Sequence, residues 1–214
     1  DVATRALERV VPFLHGEHIF RDRDLPYATQ LVPLGAIFAV LGDKAETHAN
    51  RQRLRQWFWC GVFGEMYGGS TETRFANDLQ DCVAWIGGAG EPRTVKDAQF
   101  QAERLLTLRS RNSAAYKGLY ALQMKRGGRD FRTGNTIDVH AYFDDNIDIH
   151  HVFPQRWCGD NKIDRGLADC VVNKTAIDAQ TNRRIGGNAP SVYLRRIETN
   201  DGIAPQDLDA IVRS

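Results

Sequence analysis

The stretch Asp148-Ile149-His150-His151-Val152-Phe153-Pro154-Gln155, answered downstream by Asn173-Lys174-Thr175 and by Asn182-Arg183, decides how the rest of the chain is read. Two adjacent histidines close an apolar-alternating run, and Pro154 stops that run as a strand because its ring removes a backbone donor. The pattern fixes two imidazoles on one short piece of backbone. Neutral imidazole serves as a metal ligand or as a proton acceptor near neutral pH, and phosphodiester hydrolysis asks for one of each close to the phosphate. Asn173 and Asn182, nine positions apart, add a neutral clamp and a neutral oxygen ligand. Adjacent strand residues face opposite sides, so His150 and His151 reach one phosphate only if the strand ends or twists at that point, which Pro154 favours. By the same alternation Asp148 shares the face of His150 and is a further candidate ligand for a metal. The plain alternative is two satisfied histidines on a buried strand, with the asparagines as turn residues.

In sequence order, Asp-Ile-His-His-Val-Phe-Pro-Gln at 148–155, Val-Val-Asn-Lys-Thr at 171–175, Thr-Asn-Arg-Arg-Ile-Gly at 181–186 and Ala-Pro-Ser-Val-Tyr-Leu at 189–194 resemble the HNH, or ββα-metal, nuclease motif. In detail they are similar to the C-terminal nuclease domain of GmrSD-type modification-dependent restriction enzymes, including SspE-like effectors of phosphorothioate-linked phage defence. The resemblance covers most of residues 130–198. It implies that His151 is the general base, that His150 and Asn182 hold a divalent cation, and that Asn173 holds the loop bearing the base through hydrogen bonds. It also implies a metal-dependent DNA endonuclease or nickase, the effector part of a larger restriction or anti-phage defence protein that acts on phage or modified DNA. The nucleotide-hydrolysing sensor domain that precedes the nuclease in that family has no counterpart in these residues.

One common form of the motif carries an aspartate where this chain has His150. A histidine there softens the ligand set toward manganese, nickel or zinc, while magnesium prefers oxygen and several waters. Magnesium or manganese is the expected functional ion, with zinc or nickel as the other candidates. Arg183 and Arg184 follow Asn182 directly, and guanidinium forks suit phosphate, so both are expected DNA contacts, Arg183 foremost. A reading from a different class is a non-catalytic DNA-binding or scaffolding module whose metal only stabilises the fold.

The whole chain sets outer bounds on these expectations. At 214 residues, with 42% hydrophobic and 26% charged side chains, it is long enough for one large or two small domains with ordinary cores. A net charge of +1 excludes a polycation that coats nucleic acid indiscriminately. Residues 1–100 carry 11 Lys and Arg against 13 Asp and Glu, and residues 101–214 carry 17 against 14, so the second part is the more phosphate-facing one. No apolar run is long enough to span a bilayer, and no membrane partner is expected. Cys60, Cys82, Cys158 and Cys170 form no CxxC pair, which suits a reducing, cytoplasmic setting. Cys158 and Cys170 flank the loop between the motif strands, where a zinc site is the sharper reading and two buried thiols the plainer one. The chain opens at Asp1 with no methionine and no charged-then-apolar leader, as expected of a fragment of something longer.

Upstream of the motif the periodicity is helical. Helices are expected over 3–20 (bent at Pro12), 27–41, 46–67, 72–86, 95–109 and 113–124. His15 and His18 fall one turn apart, spacing that suits either metal chelation or a solvated face. Trp57, Phe58, Trp59, Val62 and Phe63 crowd one helix, as core or as a base-stacking surface. The basic, glycine-bearing run Lys125-Arg126-Gly127-Gly128-Arg129 marks a boundary and reads either as a solvated linker or as a DNA-backbone contact. The expected fold is α+β, mainly α: a helical connecting and positioning domain, 1–128, then an HNH nuclease domain, 129–214. In the latter, strands are expected over 147–152 and 170–175, with Asp178 capping a short helix that carries Asn182, and further helices from Pro190 and Pro205.

Overall fold

In the computed structural model, residues 1–69, 72–137 and 147–213 are described, with Asp148 described in its backbone only. Among the described residues the chain is mainly helical, with one two-stranded sheet. It forms two compact units, one made of residues 1–100 and 112–118 and the other of 101–111 and 119–214.

The first unit contains α1 (Val2–Gly16), α2 (Leu31–Leu41), α3 (His48–Phe63), α4 (Glu72–Ile86) and α5 (Arg93–Asp97). Asp1 caps α1 by accepting from the Ala3 amide, and the helix runs on through Pro12. The helix ends at Gly16, so His18 lies beyond it at φ 59° and the two histidines are not one helical turn apart. Both rings instead pack against Phe20, at centroid distances of 5.7 and 5.5 Å. The aromatic crowd on α3 is core: Trp57 and Phe58 have no exposed surface, and Phe58 meets Phe13 edge-on. Rings so enclosed cannot stack on bases. The buried carboxylates of this unit are paired, as burial of a charge requires: Glu17 accepts from Arg55 at 2.6 Å and from the Trp59 indole at 2.8 Å, and Asp78 accepts from the hydroxyls of Tyr67 and Thr94.

A helix over 95–109 does not form. The chain makes the short α5, turns extended at Ala98, and enters a 3-10 turn at Ala102–Leu106. The reason is tertiary. Residues 101–111 pack with the second unit, where the Leu108 carbonyl accepts from the Val171 amide at 2.7 Å and Arg111 donates to the Ile149 carbonyl at 2.5 Å. Helical periodicity is a weak preference that such contacts override. In the same way residues 119–128, upstream of the expected boundary at 128/129, belong to the second unit, and the division falls inside α6 (Ala114–Lys125) after Gly118. The basic run 125–129 is a folded turn, with the Gly128 carbonyl accepting from Ile137 at 2.8 Å and Arg129 bridged to Thr136.

In the second unit β1 (Asp148–His151) pairs antiparallel with β2 (Lys174–Ile177), in a register of Asp148 with Ile177, Ile149 with Ala176, His150 with Thr175 and His151 with Lys174. Between the strands lie α7 (Gln155–Asp160) and α8 (Arg165–Ala168). The second strand starts at Lys174, four residues later than the sequence pattern suggests, because Val171–Asn173 is a 3-10 turn tied to Leu108 and Phe153. Residues 138–146, in the expected nuclease domain, lie outside the described residues.

Asp178 ends β2 and caps α9 (Ala179–Ile185), accepting from the amides of Gln180 and Thr181 at 2.6 and 2.8 Å. Burial opposes its charge, yet those donors and Arg132 hold its carboxyl below the usual range. Behind the cap lies Asp130, which is 3% exposed. Its carboxylate accepts from the amides of Arg132 and Thr133, the hydroxyls of Thr133 and Thr181, and the Asp178 amide. α10 (Pro190–Asp201) and α11 (Pro205–Val212) close the unit, each with proline in its first turn. Its core unites Phe131, Ile177, Ile185, Tyr193, Ile197, Leu208 and Ile211.

Candidate active site

The backbone that follows His151 is held at every polar group for two residues. The Val152 amide donates to the Asn173 carbonyl at 2.9 Å, and the Val152 carbonyl accepts from the Tyr193 hydroxyl at 3.0 Å. The Phe153 amide donates to Asn173 Oδ1 at 2.8 Å, and the Phe153 carbonyl accepts from Asn173 Nδ2 at 2.9 Å. The same Nδ2 reaches the Ala168 carbonyl at 2.7 Å. One carboxamide therefore fixes the loop after β1 and the end of α8 together. Pro154 then opens α7 as its N-cap residue.

Strand register assigns the two histidines to different faces. His150 stands opposite Thr175 and shares its side of the sheet with Ile177, which packs in the core with Ile185 of α9. Asn182 lies on α9 one turn before Ile185, while Thr175 on the same side accepts from Gln123 of α6 at 2.9 Å. Asp148 pairs with Ile177 through its backbone, and its side chain is outside the described residues. His151 is the last residue of the ladder, on the other face with its partner Lys174.

On that second face the sequence reading missed two residues. Asp169 Oδ1 lies 3.2 Å from His151 Nε2 and 2.9 Å from Lys174 Nζ. The hydrogen bond from Lys174, aided by that from His151 and opposed by partial burial, holds the Asp169 carboxyl below the usual range. The Lys174 ammonium is almost buried and also donates to the Arg109 carbonyl at 3.3 Å. Strand alternation was the available signal for Lys174, which follows Asn173. No local pattern announces Asp169, which meets His151 only by closure of the α7–α8 loop.

Arg183 and Arg184 are both exposed. Arg184 is committed to Asp201 at 2.7 Å, whereas Arg183 has no side-chain partner among the described residues. The four thiols are free, and those of Cys158 and Cys170 donate to the carbonyls of Phe153 and Leu167, so they act as buried donors.

By residue type, an imidazole at His150 and a carboxamide at Asn182 would suit a divalent cation. The Asn182 carboxamide makes no hydrogen bond among the described residues, in contrast to that of Asn173, and an imidazole with a carboxamide oxygen suits the first-row series from manganese to zinc. Among the described residues no three His, Cys, Asp or Glu side chains cluster for a metal.

An uncharacterized protein of Methanocaldococcus jannaschii is 31% identical over 163 residues, an alignment that takes in 72% of this chain. The chain spans only 27% of that relative's length. No family model matches the chain, and no solved structure does. Among the described residues no helix is long and apolar enough to cross a membrane.

Proposed function

We propose that the second unit is a nuclease of the HNH, or ββα-metal, class related to the GmrSD-type enzymes: a metal-dependent DNA endonuclease or nickase. In this reading it is the effector part of a cytoplasmic restriction or anti-phage defence protein, acting on phage or modified DNA under the control of a nucleotide-hydrolysing sensor domain. The observation that carries the proposal is the Asn173 clamp on both polar groups of Phe153, two residues after His151. A residue that lashes down the loop behind a base is what a pre-organised proton acceptor needs. The order strand, strand, capped helix, with His150 on the first strand and Asn182 on the helix, also supports it.

The chemistry follows from the side chains. His151 takes a proton from the attacking water as the new P–O bond forms and the bond to the departing 3′ oxygen breaks. His150 and Asn182, with Asp148 as a further candidate, would hold a divalent cation, magnesium or manganese in function, which supplies positive charge for the phosphate and the leaving oxygen. Arg183 contacts a DNA phosphate. Arg183→Ala is expected to weaken DNA binding uniformly across sequences and to lower the slope of log affinity against log salt by about 1. Fluorescence anisotropy over a salt series measures both.

A binding module remains the second reading, favoured by one feature. Beside Asn173 an apolar groove of about 370 Å³ exposes Phe153, Leu167 and Val172, as a docking surface would. Supercoiled plasmid incubated with the chain and manganese or magnesium separates the two. Nicked or linear product is the expected outcome, and DNA that is bound yet intact under every divalent ion would establish the binding module instead.

A further inference from the structure

We propose that Asp169 is the positioning residue of His151: it accepts the Nε2 hydrogen, fixes one tautomer of the ring, and leaves Nδ1 as the bare nitrogen. The catalytic half of this inference rests on the nuclease reading above, since Nδ1 is then the atom that takes the proton from water.

Three elements bring the pair together. His151 ends β1, Lys174 begins β2 directly opposite, and Asp169 follows α8, its amide held by the Arg165 carbonyl at 3.1 Å. The Asn173 carboxamide sets the spacing between them. It bonds Phe153, two residues after His151, and Ala168, one residue before Asp169, so the loops that carry the two side chains are fixed to a single group. With both backbones held, the fold brings Nε2 and Oδ1 to 3.2 Å.

The direction of the hydrogen bond follows from chemistry. An ionised carboxylate has no hydrogen to give, so Nε2 must carry one, and in the neutral ring Nδ1 then carries none. The Gln155 carboxamide lies 3.4 Å from the same Nε2. The end that faces the ring is the amide nitrogen; the two ends of a carboxamide have the same shape, and a protonated His151 Nε2 requires this one to be turned so that its oxygen faces the ring. Lys174 shares Oδ1 with His151 and keeps the carboxylate charged, which strengthens its grip on the imidazole.

The competing account is that Asp169 exists only to neutralise the almost buried Lys174 and to tie α8 to β2. Long-range proton–nitrogen NMR of the uniformly labelled chain distinguishes the two, with the His151 ring assigned by its loss in His151→Gln. In the wild type with the ring neutral, the expected pattern is a protonated Nε2 and a bare Nδ1. In Asp169→Asn the ring is expected to become a mixture of tautomers, with plasmid cleavage slowed by about 10- to 100-fold at saturating DNA and the half-saturating DNA concentration unchanged. Asp169→Glu, which keeps the carboxylate, is expected to recover part of both, and it carries the test if Asp169→Asn does not fold. An unaltered tautomer together with wild-type turnover in Asp169→Asn, or a bare Nε2 in the wild type, would overturn the proposal. A wild-type chain that never cuts DNA removes the nuclease reading alone, because the nitrogen spectrum still decides whether Asp169 sets the ring.

Discussion

His151→Ala is expected to slow DNA cleavage by about 1,000-fold while DNA affinity and unfolding temperature stay close to wild type. The magnitude is that of removing a positioned general base, which leaves only water to accept the proton. The fold should tolerate the change because the backbone around His151 is secured by groups other than its ring: Asn173, Tyr193 and the strand pairing to Lys174. Single-turnover cleavage of a labelled duplex, beside anisotropy and thermal melting of the same preparation, measures all three quantities. A variant that cuts at the wild-type rate would remove His151 from the chemistry, and one that melts early would show that the ring is structural.

The second large effect concerns stability. Asp130→Ala is expected to destabilise the second unit by about 3 kcal/mol, because several donors that converge on one buried carboxylate lose their acceptor at once. Among these is the amide of Asp178, so the cap of α9 loses its support together with the segment that carries Asn182. Peptide-resolved hydrogen exchange is the suitable measurement. Protection should fall over Lys174–Ile185 and remain unchanged over α3, whose core lies in the other unit. Asp130→Asn, which keeps one acceptor oxygen, should lose less. Unchanged exchange over α9 in Asp130→Ala would mean that the carboxylate is dispensable.

Local chemistry made part of this architecture legible. Asp178 could be read as an N-cap because a short acidic side chain before a helical run satisfies amides that the helix leaves open, and it does so for Gln180 and Thr181. Pro190 and Pro205 announced the starts of α10 and α11 for a similar reason. Features set at a distance were not legible. The stretch 95–109 has helical periodicity, but Leu108 is claimed by Val171, and the same hydrogen bond delays the start of β2. At the site, Asn173 and the histidine pair stand out by type and spacing. Asp169 is one of several acidic residues in a polar loop and gains its meaning only when α8 returns beside β1.

On the proposed nuclease reading, His150 and Asn182 would hold one divalent cation for phosphodiester hydrolysis. Anomalous diffraction from crystals soaked in manganese tests it most directly. The expected result is a single strong peak bonded to a ring nitrogen of His150 and to the side-chain oxygen of Asn182. Crystals that take up manganese elsewhere, with these two side chains unliganded, would contradict it.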